Sequence, residues 1–150
     1  MNSKERCVLI TGTHQFQKHV LALRTVVECA NKSNILLRVN AMNNLDTILE
    51  SNKKFKSGIP YKTGSTNNLY IDTIKSTTWN NNPYNIDYAV LYPLDSVGKS
   101  SSQKEIMDDF NIRHVKKIFL VSWTDTHDFS WANKYIDCHV VYDVEEEDPE

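Results

Sequence analysis

The chain has 150 residues, 40% of them apolar and 24% charged, with a formal net charge of −2. That length suits one domain burying about two thirds of its unfolded surface around a single core. The near-neutral charge gives no electrostatic basis for a nucleic-acid binder, so direct nucleic-acid contact is not expected. Cys7, Cys29 and Cys138 are widely spaced and form no C-x-x-C pair, which argues against a disulfide framework or a cysteine-based zinc site and points to a reducing compartment, nuclear or cytoplasmic. The opening "MNSKERCVLITG" has too short an apolar run for a signal peptide, and no run reaches the ~18 apolar residues of a membrane span, so no membrane association is expected.

In chain order, "CVLIT" at 7–11 reads as a short strand covered on both faces and bounded by Gly12. From 15 to 32, Phe16, Val20, Leu23, Val27 and Ala30 recur at helical spacing and predict a helix. A strand is expected at 34–41, "NILLRVNA", then a short helical piece at 44–51 with Leu45, Ile48 and Leu49 as its stripe. The segment 52–68 collects Lys, Gly, Pro, Ser and Asn and reads as loop. "NLYIDTIKS" resembles a strand and "TTWNNNPYN" a further loop, so that 52–85 reads as one long excursion around a strand. A strand follows at 86–94, "IDYAVLYPL", with Pro93 near its end where a missing N–H does least harm. Ser102 and Glu105 fit a capping box ahead of a helix burying Ile106, Met107 and Phe110. "KKIFLVSW" at 116–123 predicts a buried strand, Ser130 to Ile136 a short helix, and "CHVVYDV" the last strand. The alternation argues for one α/β domain over 1–144, a mostly parallel sheet with helices on both faces, followed by a solvated acidic tail at 145–150.

The strand-to-helix passage at 8–20, "VLITGTHQFQKHV", partly fits a phosphate-binding loop of the form G-x-x-x-x-G-K-[ST]. Gly12 supplies the first glycine and Lys18 the lysine. Gln17 stands where the second glycine would let the backbone approach the phosphates. His19 stands where a hydroxyl would hold magnesium. No carboxylate or cysteine lies at metal-ligand spacing from His14 or His19, so these fit exposed or capping positions, and Lys18 equally suits a solvated residue in the first turns of a helix. No metal and no cofactor are expected. "VGKSSS" at 97–102 lacks an upstream glycine and reads as turn plus helix cap.

Two more fragments fall at strand ends in the order a small GTPase places them. "DTIK", Asp72 to Lys75, resembles D-x-x-G with Lys75 in place of the glycine that meets the terminal phosphate. "SWTD", Ser122 to Asp125, resembles [NT]-K-x-D with only Asp125 kept. The order of elements resembles the Ras-like small GTPase fold, shortened by loss of the helix after "DTIK" and of the final long helix. Within it, "VLITGT", "IDYAVLYPLDS", "VKKIFLVSWTD" and "ANKYIDCHVVYDVE" resemble the centromere protein M family. That resemblance implies a pseudo-GTPase without nucleotide or hydrolytic activity. It also implies a scaffold in the nucleus, at the inner kinetochore, bound to helical-repeat and coiled-coil subunits. Such a role needs an exposed aromatic patch; Phe55, Tyr61, Trp79 and Tyr84 are the candidates, each also able to pack on its own sheet. A second reading is a pseudo-GTPase assembly factor for clathrin adaptors in the cytoplasm. A third is a divergent enzyme hydrolysing GTP through Lys18, Asp72 and Asp125, which would ask several phosphate charges to rest on one lysine.

Overall fold

The computed structural model describes residues 6–11, 18–42, 55–63, 66–97, 100–122 and 130–141. The strands are β1 (Cys7–Thr11), β2 (Asn34–Val39), β3 (Tyr61–Thr63), β4 (Asn67–Thr73), β5 (Tyr88–Leu91), β6 (Lys117–Val121) and β7 (Cys138–Val141). Two helices, α1 (Lys18–Cys29) and α2 (Ser100–Ile112), are found among the described residues, with short 3-10 turns at Ser76–Thr78, Leu94–Ser96 and Ser130–Lys134.

The strands form one seven-stranded sheet in the order β3-β4-β2-β5-β6-β1-β7. All neighbours run parallel except β3, which pairs antiparallel with β4 through Tyr61↔Leu69 and Thr63↔Asn67. This is the mostly parallel α/β sheet that the alternating pattern predicts, while the layers of helices expected on both faces are not found: among the described residues there are two helices, α1 and α2. Continuous apolar runs make its inner strands: "NILLRV" and "KIFLV" are buried almost throughout, as in a parallel sheet with neither face in water.

Because side chains alternate along a strand, β2 divides its residues between two apolar clusters. Ile35, Leu37 and Val39 join Ala22 and Val26 of α1, with Leu23 and Val27 partly buried beside them. Leu36 joins Ile106, Met107 and Phe110 of α2, together with Leu9, Leu91, Ile118 and Trp79. At ~25 cal/mol per Å² of apolar surface removed from water, these clusters are the main stabilising term.

Several element expectations need correction. The 52–68 loop contains β3, because Tyr61 packs its ring against Phe55 while its backbone pairs with β4. The strand expected at 86–94 ends at Leu91, where a cis Tyr92–Pro93 peptide leads into a 3-10 turn. α2 begins at Ser100, so Ser102 lies inside its first turn and does not cap it. The helix expected at 130–136 is a single 3-10 turn with buried Ala132. The helical piece at 44–51 and the acidic tail lie outside the described residues.

Candidate functional site

The most extensive polar assembly among the described residues is buried. Arg38 interrupts the apolar run of β2, and parallel pairing sets Asp72 of β4 directly beside it. Arg38 donates from Nε to Asp72 Oδ1 at 2.8 Å and from Nη2 to Asp72 Oδ2 at 2.9 Å, the two-pronged geometry that suits guanidinium and carboxylate. The same Nη2 donates to Asp109 Oδ2 of α2 at 2.9 Å. Arg113, one helical turn on, donates from Nε to the same Asp109 oxygen at 2.9 Å. Two arginines and two aspartates therefore cancel in charge, which is what allows a cluster with 0% of Arg38 exposed to exist.

The cluster extends through Asn82 and Trp79. Asn82 donates to Asp72 Oδ2 at 3.0 Å and accepts the Gly58 N–H at 2.8 Å. Gly58 has φ +84°, and a Cβ there would meet the Asn81 Cβ at 2.5 Å, so the turn needs a residue without a side chain. Arg113 donates to the carbonyls of Trp79, Asn82 and Pro83, each at 2.8 to 2.9 Å. Trp79 donates its indole N–H to the Thr73 carbonyl at 2.6 Å. The Arg38 guanidinium carbon lies 4.1 Å from the Trp79 ring centroid and 5.0 Å from that of Phe110. Arg38 Nη1 has no hydrogen-bond partner among the described residues. Burial pushes the Asp72 carboxyl up from its ordinary value, while the hydrogen bonds and charge of Arg38 pull it down.

This placement bears directly on the nucleotide residues of the sequence. Gly12, Gln17 and Asp125 lie outside the described residues; Lys18 and His19 open α1. Lys75 is exposed just past β4. A phosphate-binding lysine after β1 and a D-x-x-G segment after β4 must meet the same terminal phosphate. In this sheet β2, β5 and β6 stand between those strands, four spacings of ~4.8 Å, about 19 Å. Asp72 is also fully occupied by Arg38 and Asn82 rather than facing a cleft. Of the strands that carry the other two fragments, β6 and not β4 pairs with β1.

Of the four aromatic candidates, Trp79 is 6% exposed and belongs to the core, which corrects its reading as a docking residue. Phe55 and Tyr61 are half-buried with ring centroids 5.0 Å apart, edge to face, against the α1 cluster. Tyr84 alone is well exposed, at 58%, with its ring 4.9 Å from the Arg113 guanidinium carbon. Nearby, an open groove of about 390 Å³ runs along α2, lined by Trp79, Lys104, Glu105, Asp108, Asp109 and Ile112. Ile112 is 58% exposed.

At the other side of the sheet, the Asp137 carboxylate accepts the backbone N–H groups of Arg6 and Cys7 at 2.9 and 3.0 Å. These two bonds hold its carboxyl below the usual range. Thr11 Oγ1 and His139 Nε2 are hydrogen-bonded at 2.7 Å across the β1–β7 pair. Among the described residues no three His, Cys, Asp or Glu side chains gather to hold a metal ion, and no helix is long and apolar enough to cross a membrane.

Sequence reasoning missed Arg38, Asp109, Arg113 and Asn82. The signal was there: an arginine and an aspartate inside two buried strands, and Asp109 and Arg113 four residues apart at the end of a helix. Comparison of the chain with known protein families, curated proteins and solved structures gives no match.

Proposed function

We propose that this chain is a non-catalytic scaffold, a pseudo-GTPase in the sense that its Ras-like motifs no longer assemble a nucleotide site. The observation that carries this reading is the engagement of Asp72 by Arg38, together with the separation of the β1 and β4 ends by three strands. A triphosphate held at Lys18 would be out of reach of both Asp72 and Lys75. The arrangement serves structure instead: it ties β2, β4, α2 and the 79–83 segment into one rigid unit.

The docking face that this unit supports is the α2 groove with exposed Ile112 in its lining, joined by the exposed Tyr84 ring over Arg113. Aromatic side chains on rigid elements are the usual anchors of protein interfaces. Placement in the nucleus at the inner kinetochore, with helical-repeat and coiled-coil subunits as partners, rests on the sequence resemblance to the centromere protein M family. Adaptor assembly in the cytoplasm is the competing placement.

Two experiments test the reading. Isothermal titration with GTP, GDP and ATP in magnesium buffer should show no binding up to millimolar nucleotide, and micromolar affinity would overturn it. Imaging of the tagged chain in dividing cells should give foci at centromeres; cytoplasmic puncta with adaptor subunits would replace the kinetochore assignment.

A further inference from the structure

A second recess lies at the amino end of the sheet, where β1 and β7 begin beside α2. It is a cavity of about 320 Å³ lined by Arg6, Cys7, Met107, Asn111, Tyr135 and Asp137. The nucleotide-like fragments follow the opposite, carboxyl ends of their strands, so this recess is separate from where a phosphate would bind. Arg6 and Asp137 bring opposite charges to one cavity, yet neither side chain is in a salt bridge among the described residues. Each is anchored by other groups. Arg6 donates from Nε to the Val115 carbonyl at 3.0 Å, which leaves its Nη1–Nη2 edge without a hydrogen bond to any described residue. Asp137 accepts the N–H groups of Arg6 and Cys7 on Oδ2, and Oδ1 takes no bond among the described residues. Asn111 and Tyr135 add a carboxamide and a hydroxyl that are likewise bonded to no described residue. The buried part of the lining is apolar: Cys7 is 2% exposed and Met107 4%, and burial pushes the Cys7 thiol up to about 12, so it stays neutral.

We propose that this cavity binds a small zwitterion, a free α-amino acid with an apolar side chain, its carboxylate on the Arg6 fork, its ammonium on Asp137 Oδ1 and its side chain against Cys7 and Met107. The two charges select that class. A simple anion would face Asp137 and a simple cation would face Arg6, whereas a zwitterion leaves neither charge without a partner. With Nε committed to Val115, the remaining edge of the guanidinium still offers two parallel N–H groups, the geometry that suits a carboxylate. Asn111 and Tyr135 each hold both a donor and an acceptor and serve either end of the ligand. The volume falls at the small end of ligand cavities, which suits a single amino acid. The inference goes beyond the scaffold reading and does not rest on it.

The test titrates the full chain, isotope-labelled, with valine, leucine, methionine and phenylalanine, and with leucinamide and N-acetyl-leucine, each of which keeps one charge. At least one of the four amino acids should bind, and the amide signals of Cys7, Asn111 and Asp137 should move as it does. Leucinamide and N-acetyl-leucine should each bind about tenfold or more weakly than leucine, the loss of one charged hydrogen bond. Asp137→Asn keeps an oxygen to accept the Arg6 and Cys7 N–H groups but not the charge, and should weaken binding by a similar factor. Arg6→Lys keeps the charge but not the fork and should do the same. Tyr135→Phe removes only a hydroxyl; it should weaken binding by several-fold with thermal unfolding unchanged, and it carries the test if either charge variant fails to fold. No binding of any of the four at millimolar concentration, equal binding of the two blocked forms, or signal changes confined to residues away from the cavity would each overturn the inference. Nucleotide titration probes the opposite end of the strands, so its outcome decides the scaffold reading and leaves this one standing.

Discussion

Asp72 lies beside Arg38 in the β2–β4 register and takes both prongs of its guanidinium, with neither side chain reaching solvent. Breaking such a buried pair from one side leaves a charge uncompensated. Asp72→Ala is therefore expected to cost about 3–5 kcal/mol in urea unfolding. The paired change Arg38→Met with Asp72→Leu should recover much of that loss, because the desolvation of both charges goes with them. Lys75→Ala, three residues away but exposed, should stay within about 0.5 kcal/mol. A nucleotide site would reverse the emphasis, with both residues mattering for ligand and neither much for stability.

Trp79 and Tyr84 are separated by five residues and by very different surroundings. Trp79→Ala removes a core side chain, its hydrogen bond to Thr73 and its face over Arg38, and should cost about 3–5 kcal/mol. Tyr84→Ala removes an exposed ring stacked on Arg113 and should cost about 0.5–1 kcal/mol. Thermal unfolding of the two variants side by side checks the contrast.

Asp137 sets a pH dependence whose sign is fixed by its hydrogen bonds. Its carboxyl is held below the usual value by the N–H groups of Cys7 and Arg6, so the unfolded chain binds the proton more readily than the folded one. Its contribution is present above the unfolded carboxylate pKa and is lost as pH falls through the lower folded value. Asp137→Ala should therefore be less stable than the parent near neutrality, with the gap narrowing through that acidic window. Denaturant midpoints measured across the acid range would show it, and a gap that stays constant with pH would contradict it.

The cysteines should react in order of exposure. Burial pushes the Cys7 thiol up to about 12, with the neighbouring Asp137 charge adding to the effect, whereas Cys29 is exposed on α1. A thiol-reactive dye at mildly alkaline pH should label Cys29 readily and Cys7 only on unfolding. Peptide mapping by mass spectrometry distinguishes the two, and Cys138, half-buried, should fall between them.

How much of this was written in the sequence differs by element. The buried strands were legible because "CVLIT", "NILLRV" and "KIFLV" are apolar runs too short for helices and too continuous for exposed strands. The inner face of α2 was legible from the spacing of Ile106 and Phe110, whereas in α1 the fully buried residues are Ala22 and Val26, one position off the expected stripe, with Leu23 and Val27 only partly buried. β3 was not, since three residues carry no period and Tyr61 is committed by contacts with Phe55 and Leu69 that come only with the fold. Strand order was not legible either, because local patterns say what pairs well but not with which neighbour. That is why Asp72 resembled a phosphate-loop residue: "DTIK" at a strand end looks the same whether the carboxylate faces a ligand or, as here, an arginine on the adjacent strand.

The position of β1 makes the molecule's assembly a late event. Its two neighbours among the described residues, β6 and β7, follow β2 to β5 in chain order, so β1 has neither of them to pair with until those strands have been made. On a ribosome, β2, β4 and β5 could zip together by way of nearer contacts while "CVLIT" waits as an unpaired apolar segment. Such long-range closure slows folding and lengthens the time a sticky strand stays open to chaperones or to wrong partners. A nascent chain cut short before residue 117 would therefore leave β1 without either of its described neighbours.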